Sequence, residues 1–196
     1  MKNALAAFIA ILIIFSSVIY VTDYSLSLDR LLNNLTNKMN YEITLKTNKG
    51  DITFETFYDL APNTVDNFIS LTEDGFYDDL TFHRVIEGFM IQGGCPEGTG
   101  RGGPGYTFDD EIDTEAEVYQ GGYDQGVVAM ANSGPNTNGS QFFIMVKDYP
   151  LPPQYTIFGK VIDGQDVADQ ISKVDTDRAD NPEEDVVIKS ILIEEK

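Results

Sequence analysis

A closed, mainly β barrel carrying two helices is the fold class this sequence predicts, and three observations predict it. Residues 41–57 alternate apolar and polar side chains on either side of a short glycine-containing turn, which is a hairpin signature. Beyond residue 80, short apolar stretches recur between glycine-rich turns. Only two segments keep helical spacing. Laid out as an open sheet, so many strands would leave unpaired edges, and closure removes them. The pattern by itself leaves open which barrel this is.

The elements follow in order. YEITLKT (41–47) and DITFETF (51–57) flank Asn48-Lys49-Gly50. Ala61-Pro62-Asn63-Thr64 opens a helix with proline early, Val65, Phe68, Ile69 and Leu71 keep its spacing, and Gly75 stops it. Strands are expected at TFHRVI, GFMIQ, GVVAMA, QFFIMV, TIFGKVI and the terminal VVIKSILIEE. A second helix fits 165–173, with Val167, Ala168 and Ile171 on one face.

The first residues behave differently. Residues 3–22 carry no charge, and 4–21 are nearly all apolar, a length at the lower edge of what spans a bilayer as a helix. Lys2 precedes the run and Asp23 follows it, so the N-terminus is expected in the cytoplasm and the rest outside. A cleaved signal peptide competes, but Ser25-Leu26-Ser27 is the nearest small-x-small pattern and lies late. Cleavage would leave the protein secreted. The expected organisation is a membrane anchor or signal segment (1–22), a polar linker (23–40) holding the Asn34-Leu35-Thr36 sequon, and a folded domain (41–196).

Charge and composition exclude several functions. The chain has 32 acidic and 13 basic side chains, a formal charge of −19; within 41–196 there are 30 and 10, giving −20. Such a field repels phosphate backbones, so no nucleic-acid partner is expected. Cys95 is the one cysteine and His83 the one histidine, which rules out an intrachain disulfide and a Cys/His zinc site. No cofactor or metal is expected. The stretch 109–117 is rich in Asp and Glu but lacks EF-hand spacing and its central glycine, and reads as a solvated face. Gly98-x-Gly100-x-x-Gly103 matches a dinucleotide fingerprint as a string, yet Pro104-Gly105 follows at once, so it reads as a loop. His83 near Asp or Ser suggests a hydrolase, but no GxSxG elbow accompanies it; a core histidine with a satisfied hydrogen bond is expected instead.

Three segments carry more. They are Phe82-His83-Arg84-Val85-Ile86, Gly88-Phe89-Met90-Ile91-Gln92-Gly93-Gly94, and residues 130–143, MANSGPNTNGSQFF. In order and spacing these resemble the cyclophilin signature, and with the later IFGKV the likeness spans 41–196. The resemblance implies an eight-stranded antiparallel barrel capped by two helices, with a peptide groove on its outer surface. It implies peptidyl-prolyl cis/trans isomerisation of exported or surface polypeptides, by a monomer. Carried over by position, Arg84, Phe89 and Gln92 would be catalytic, while Met90, Ala131, Asn132, Gln141, Phe143 and Leu151 would bind substrate. The family's tryptophan position is Pro150 here and its following histidine is Tyr155, which would wall the pocket. Since that tryptophan chiefly serves cyclosporin binding in the family, weak cyclosporin binding is expected.

The residue types suit the chemistry. Rotation about an X-Pro bond faces a barrier of about 18–20 kcal/mol because the imide nitrogen shares its lone pair with the carbonyl. No bond breaks, so neither nucleophile nor metal is needed. A permanently charged guanidinium can meet the lone pair that localises on nitrogen as the bond twists, and an apolar hollow can hold the ring. The competing reading is a membrane-tethered module that binds proline peptides without catalysis; retention of a cation at Arg84 argues against it.

Overall fold

The structure is a computed structural model that describes residues 40–120 and 122–196. The expected anchor or signal segment and all of the linker except Asn40 lie outside the described residues. No helix among the described residues is long and apolar enough to cross a membrane.

The chain forms β1 (Tyr41–Thr47), β2 (Asp51–Thr56), α1 (Pro62–Glu73), β3 (Arg84–Ile86), β4 (Met90–Gly93), β5 (Val127–Met130), β6 (Phe142–Met145), β7 (Ile157–Asp163), α2 (Gln165–Ile171) and β8 (Ile188–Glu195). One eight-stranded sheet runs β3-β4-β6-β5-β7-β2-β1-β8, and every pairing is antiparallel. The predicted hairpin is β1–β2, its turn closed by the Thr47 N–H and hydroxyl, both donating to the Gly50 carbonyl.

Eight strands and two helices agree with expectation; full closure does not. The sheet curls into a half-barrel whose edge strands β3 and β8 share no ladder. The reason lies in how the edges are covered. β3 is three residues long, and its neighbours satisfy β8 as loop: Phe82 N–H donates to Val186 O, Ile188 N–H to Leu80 O, and Thr81 bridges Val187. Exposed edges are the liability, and loop backbone covers them as well as a ladder does.

Helix α1 starts at Pro62, where a missing N–H costs nothing. Ala61 supplies no side-chain cap, so the free N–H groups of Asn63 and Thr64 donate instead to the two carboxylate oxygens of Glu111, at 3.0 and 2.8 Å. The buried face of α1 places Phe68 against Tyr77, Phe142 and Phe54, with ring centroids 4.8, 5.5 and 5.8 Å apart. Truncating a ring so enclosed costs about 3–5 kcal/mol. α2 ends two residues earlier than predicted, and Gly164 precedes it at φ +77, where a Cβ would collide with the Asp51 carbonyl.

The central strands are buried on both faces, which is why they read as continuous apolar runs. Alternation then sorts their side chains. Phe142, Ile144, Val128, Met130, Ile91 and Phe158 enter the main core with α1. Phe143, Met145, Val127, Ala129, Met90 and Ile157 point the other way and form a second apolar cluster.

Candidate active site

The second cluster floors a hollow of about 370 Å³ on the outside of the sheet. Strand register builds it. Arg84 on β3 lies opposite Gln92 on β4, Gln92 opposite Phe143 on β6, and Phe143 opposite Ala129 on β5. Partners in an antiparallel ladder share a face, and neighbouring strands lie about 4.8 Å apart. The backbones of Arg84 and Phe143 are therefore two strands, about 10 Å, apart, with Gln92 between them. A five-membered ring fits in that interval.

Nine of the ten residues singled out from the sequence line this hollow: Arg84, Phe89, Met90, Gln92, Ala131, Asn132, Phe143, Leu151 and Tyr155. The tenth, Gln141, lines an adjoining hollow of about 580 Å³. Both of its amide donors are used, on the carbonyls of Gly100 and Gly102 at 3.0 and 2.9 Å, and its oxygen accepts from Gln92 Nε2 at 2.9 Å. Gln141 thus braces the 95–103 loop and orients Gln92. Asn132 is partly committed as well: its Nδ2 donates to Gln154 O at 2.8 Å and its Oδ1 accepts from Gly134 N–H at 3.2 Å. One donor and one acceptor site of that amide remain.

Arg84 is half exposed, and its Nε lies 3.5 Å from Asp180 Oδ2, itself half exposed. An ion pair so open to water is worth about 1 kcal/mol or less, so the guanidinium is not locked away from the hollow. The apolar wall continues outward from Phe89, whose ring meets that of Tyr149 at 4.6 Å.

Tyr155 packs edge-on against Phe143, with centroids 5.4 Å apart. Two residues that sequence reasoning missed hold it there. The Tyr123 hydroxyl grips both the Tyr155 carbonyl and its N–H, while the Tyr119 hydroxyl accepts from Ile157 N–H and reaches the same Tyr155 carbonyl. Burial raises both phenols, Tyr119 to about 12, with backbone hydrogen bonds at Ile157 and Tyr155 offsetting part of the rise. No periodicity in their acidic, glycine-broken segment marks them out. The hollow also takes in Thr99, Gly100, Ala179 and Asn181 from loops the sequence left unassigned.

His83 is buried as expected, but its predicted hydrogen bond is absent: neither ring nitrogen has a partner among the described residues. Burial lowers its pKa, and the neighbouring Arg84 charge lowers it further; the Thr81 backbone and the Gln141 amide oppose this from nearby. Neutral and enclosed, it lacks a nucleophile to serve. Cys95, also buried, has a thiol that burial alone would raise, yet backbone N–H groups led by that of Gly102 outweigh burial and bring it below the ordinary value. Among the described residues no cluster of three His, Cys, Asp or Glu side chains is arranged to hold a metal ion.

The comparisons with known proteins agree with this geometry. Residues 42–193 match the family model described as "Cyclophilin type peptidyl-prolyl cis-trans isomerase/CLD". The chain is 50% identical over 169 residues to the peptidyl-prolyl cis-trans isomerase A of Mycobacterium tuberculosis H37Rv, covering 76% of this chain and 90% of that one. A crystal structure of a Cryptosporidium parvum cyclophilin type peptidyl-prolyl cis-trans isomerase superposes with a TM-score of 0.73 at 41% identity, over 80% of this chain and 98% of that one. A second structure of that protein, obtained in the presence of the dipeptide Ala-Pro, gives a TM-score of 0.72 at 41% identity, over 78% and 98% of the two chains.

Proposed function

This chain belongs to the cyclophilin-type peptidyl-prolyl cis-trans isomerases and is such an isomerase; from that premise we propose that Arg84 catalyses X-Pro rotation in exported polypeptides. The observation that carries the reading is the register that sets Arg84 two strands from Phe143 across a hollow floored by the second apolar cluster. The Ala-Pro dipeptide named with the Cryptosporidium parvum structure supports a proline ligand here.

In this mechanism the ring enters between Phe89, Met90, Phe143, Leu151 and Tyr155, and the preceding carbonyl swings outside. Planar imide offers little electron density at nitrogen. As the bond twists, conjugation fails and the lone pair localises there, so the Arg84 guanidinium donates more strongly to the transition state than to either ground state. Gln92, oriented by Gln141, and the free half of the Asn132 amide hold substrate backbone without asking for a particular side chain.

Location and partners extend the proposal. The uncharged run 3–22 between Lys2 and Asp23 supports a single-pass anchor with the catalytic domain outside the cytoplasm, where the protein works as a monomer on exported chains. Cleavage of that run would release it as a secreted enzyme. Pro150 at the family's tryptophan position supports weak cyclosporin binding.

The test is a peptide exchange assay with the purified full-length chain. Wild type should accelerate cis-to-trans relaxation of an X-Pro peptide, and Arg84→Ala should remove most of that rate. Acceleration that survives Arg84→Ala would remove Arg84 from the mechanism. Fractionation with protease protection of the intact chain tests the membrane placement.

A further inference from the structure

The proline hollow continues into the second hollow of about 580 Å³, and the two share Gln92, Gly100, Ala131 and Asn132. An extended chain advances about 3.3 Å per residue, so a polypeptide whose proline occupies the first hollow carries a nearby side chain over the second. The lining of the second hollow is mostly glycine, hydroxyl and amide, and its one charged residue is Arg101.

Three features of Arg101 stand together. Among the described residues its guanidinium makes no ion pair, although the domain holds 30 acidic side chains against 10 basic ones. Its backbone is fixed: its own N–H donates to Thr99 Oγ1, and the carbonyls of Gly100 and Gly102 on either side accept from Gln141. The nearest acid in the loop, Glu97, packs over Gly102, accepts from the Thr99 hydroxyl and lines a different hollow, which Arg101 also borders. A cation on a fixed backbone, with no ion pair among the described residues, thus borders the second hollow.

We propose that Arg101 selects substrates bearing an acidic side chain, Asp or Glu, within a few residues of the proline. The inference rests on the isomerase site above and deepens it by naming a substrate class. The domain's net charge works against acidic peptides at long range, but that field decays over about 10 Å at 0.1 M salt, whereas Arg101 acts in contact. A carboxylate matches the planar guanidinium fork, which a neutral amide of the same shape does not.

The experiment uses the full-length chain and a set of alanine-based X-Pro peptides at about 0.1 M ionic strength. Glu or Gln occupies, in turn, each of the three positions before and after the proline. At one or two positions Glu should exceed Gln in kcat/KM by about three- to tenfold. Arg101→Gln should bring that ratio to about one, Arg101→Lys should lose most of it because a point charge lacks the fork, and about 1 M salt should shrink it in the wild type. A ratio near one at every position, or one that persists in Arg101→Gln, overturns the proposal while leaving the isomerase intact. No turnover of any peptide overturns the isomerase reading itself. Should Arg101→Gln fail to fold, the salt dependence and Arg101→Lys still decide the matter.

Discussion

The Tyr123 hydroxyl donates to the Tyr155 carbonyl at 2.7 Å and accepts from the Tyr155 N–H at 3.0 Å. One buried phenol thereby fixes both backbone polar groups of a residue that walls the substrate hollow. Tyr123→Phe should leave that N–H without a partner and cost about 1–3 kcal/mol of stability, read by urea unfolding. Tyr155 would then drift from Phe143, so KM should rise more than kcat falls. A variant as stable as wild type with unchanged KM would refute the positioning role.

Arg84 is the residue on which rate should depend most. Removing a preorganised donor to the transition state costs about 10²–10³-fold, so Arg84→Ala should lower kcat/KM by that order while leaving the unfolding midpoint nearly unmoved. Arg84→Lys should recover little, because a point charge lacks the planar fork. Asp180→Ala removes only a solvent-exposed pair and should change kcat/KM by less than about fivefold.

The chain's one histidine makes a clean pH probe. His83 has its folded pKa lowered, so the unfolded chain takes up a proton first as pH falls through about 6.5. Stability contributed by the neutral ring is complete above that value and declines as pH drops toward the folded pKa. Unfolding midpoints should therefore fall between about pH 7 and the onset of carboxylate titration near pH 5, and His83→Gln should flatten that slope. Equal slopes for the two proteins would show that the imidazole titrates alike in both states.

Glu111 caps α1 from 48 residues away in sequence, its carboxylate taking the Asn63 and Thr64 N–H groups, the Asn63 amide and the Thr64 hydroxyl. Glu111→Ala should cost about 2–3 kcal/mol, seen as a lower denaturant midpoint at unchanged m value. Glu111→Gln should cost less, since one acceptor oxygen survives.

Local pattern made some of this legible and left the rest dark for a physical reason. The β1–β2 hairpin and α1 are written in neighbours: alternation around Asn48-Lys49-Gly50, and Pro62 ahead of Val65 and Phe68. Arg84, Phe89, Met90 and Gln92 were legible as neighbours in the hollow because they lie in one hairpin. Contacts between distant loops left no such mark. Nothing near Tyr123 announces Tyr155, nothing near Ala61 announces Glu111, and nothing near Gln141 announces that its amide also holds the 95–103 loop. The expected closure equates edge protection with strand pairing, whereas loop backbone provides it here through the Phe82–Val186 and Ile188–Leu80 hydrogen bonds and the Thr81–Val187 bridge.

The unlatched margin of the sheet also decides what carries Arg84. Arg84 rides on a three-residue outer strand tied inward through β4 and outward to Asp180, by the Val85 N–H donated to its carbonyl and by the exposed ion pair of Arg84 itself. The Asp177 carboxylate accepts from the N–H groups of Ala179 and Asn181 and so holds the turn that presents Asp180 to Arg84. The position of the Arg84 charge is therefore steadied from a bend almost a hundred residues downstream.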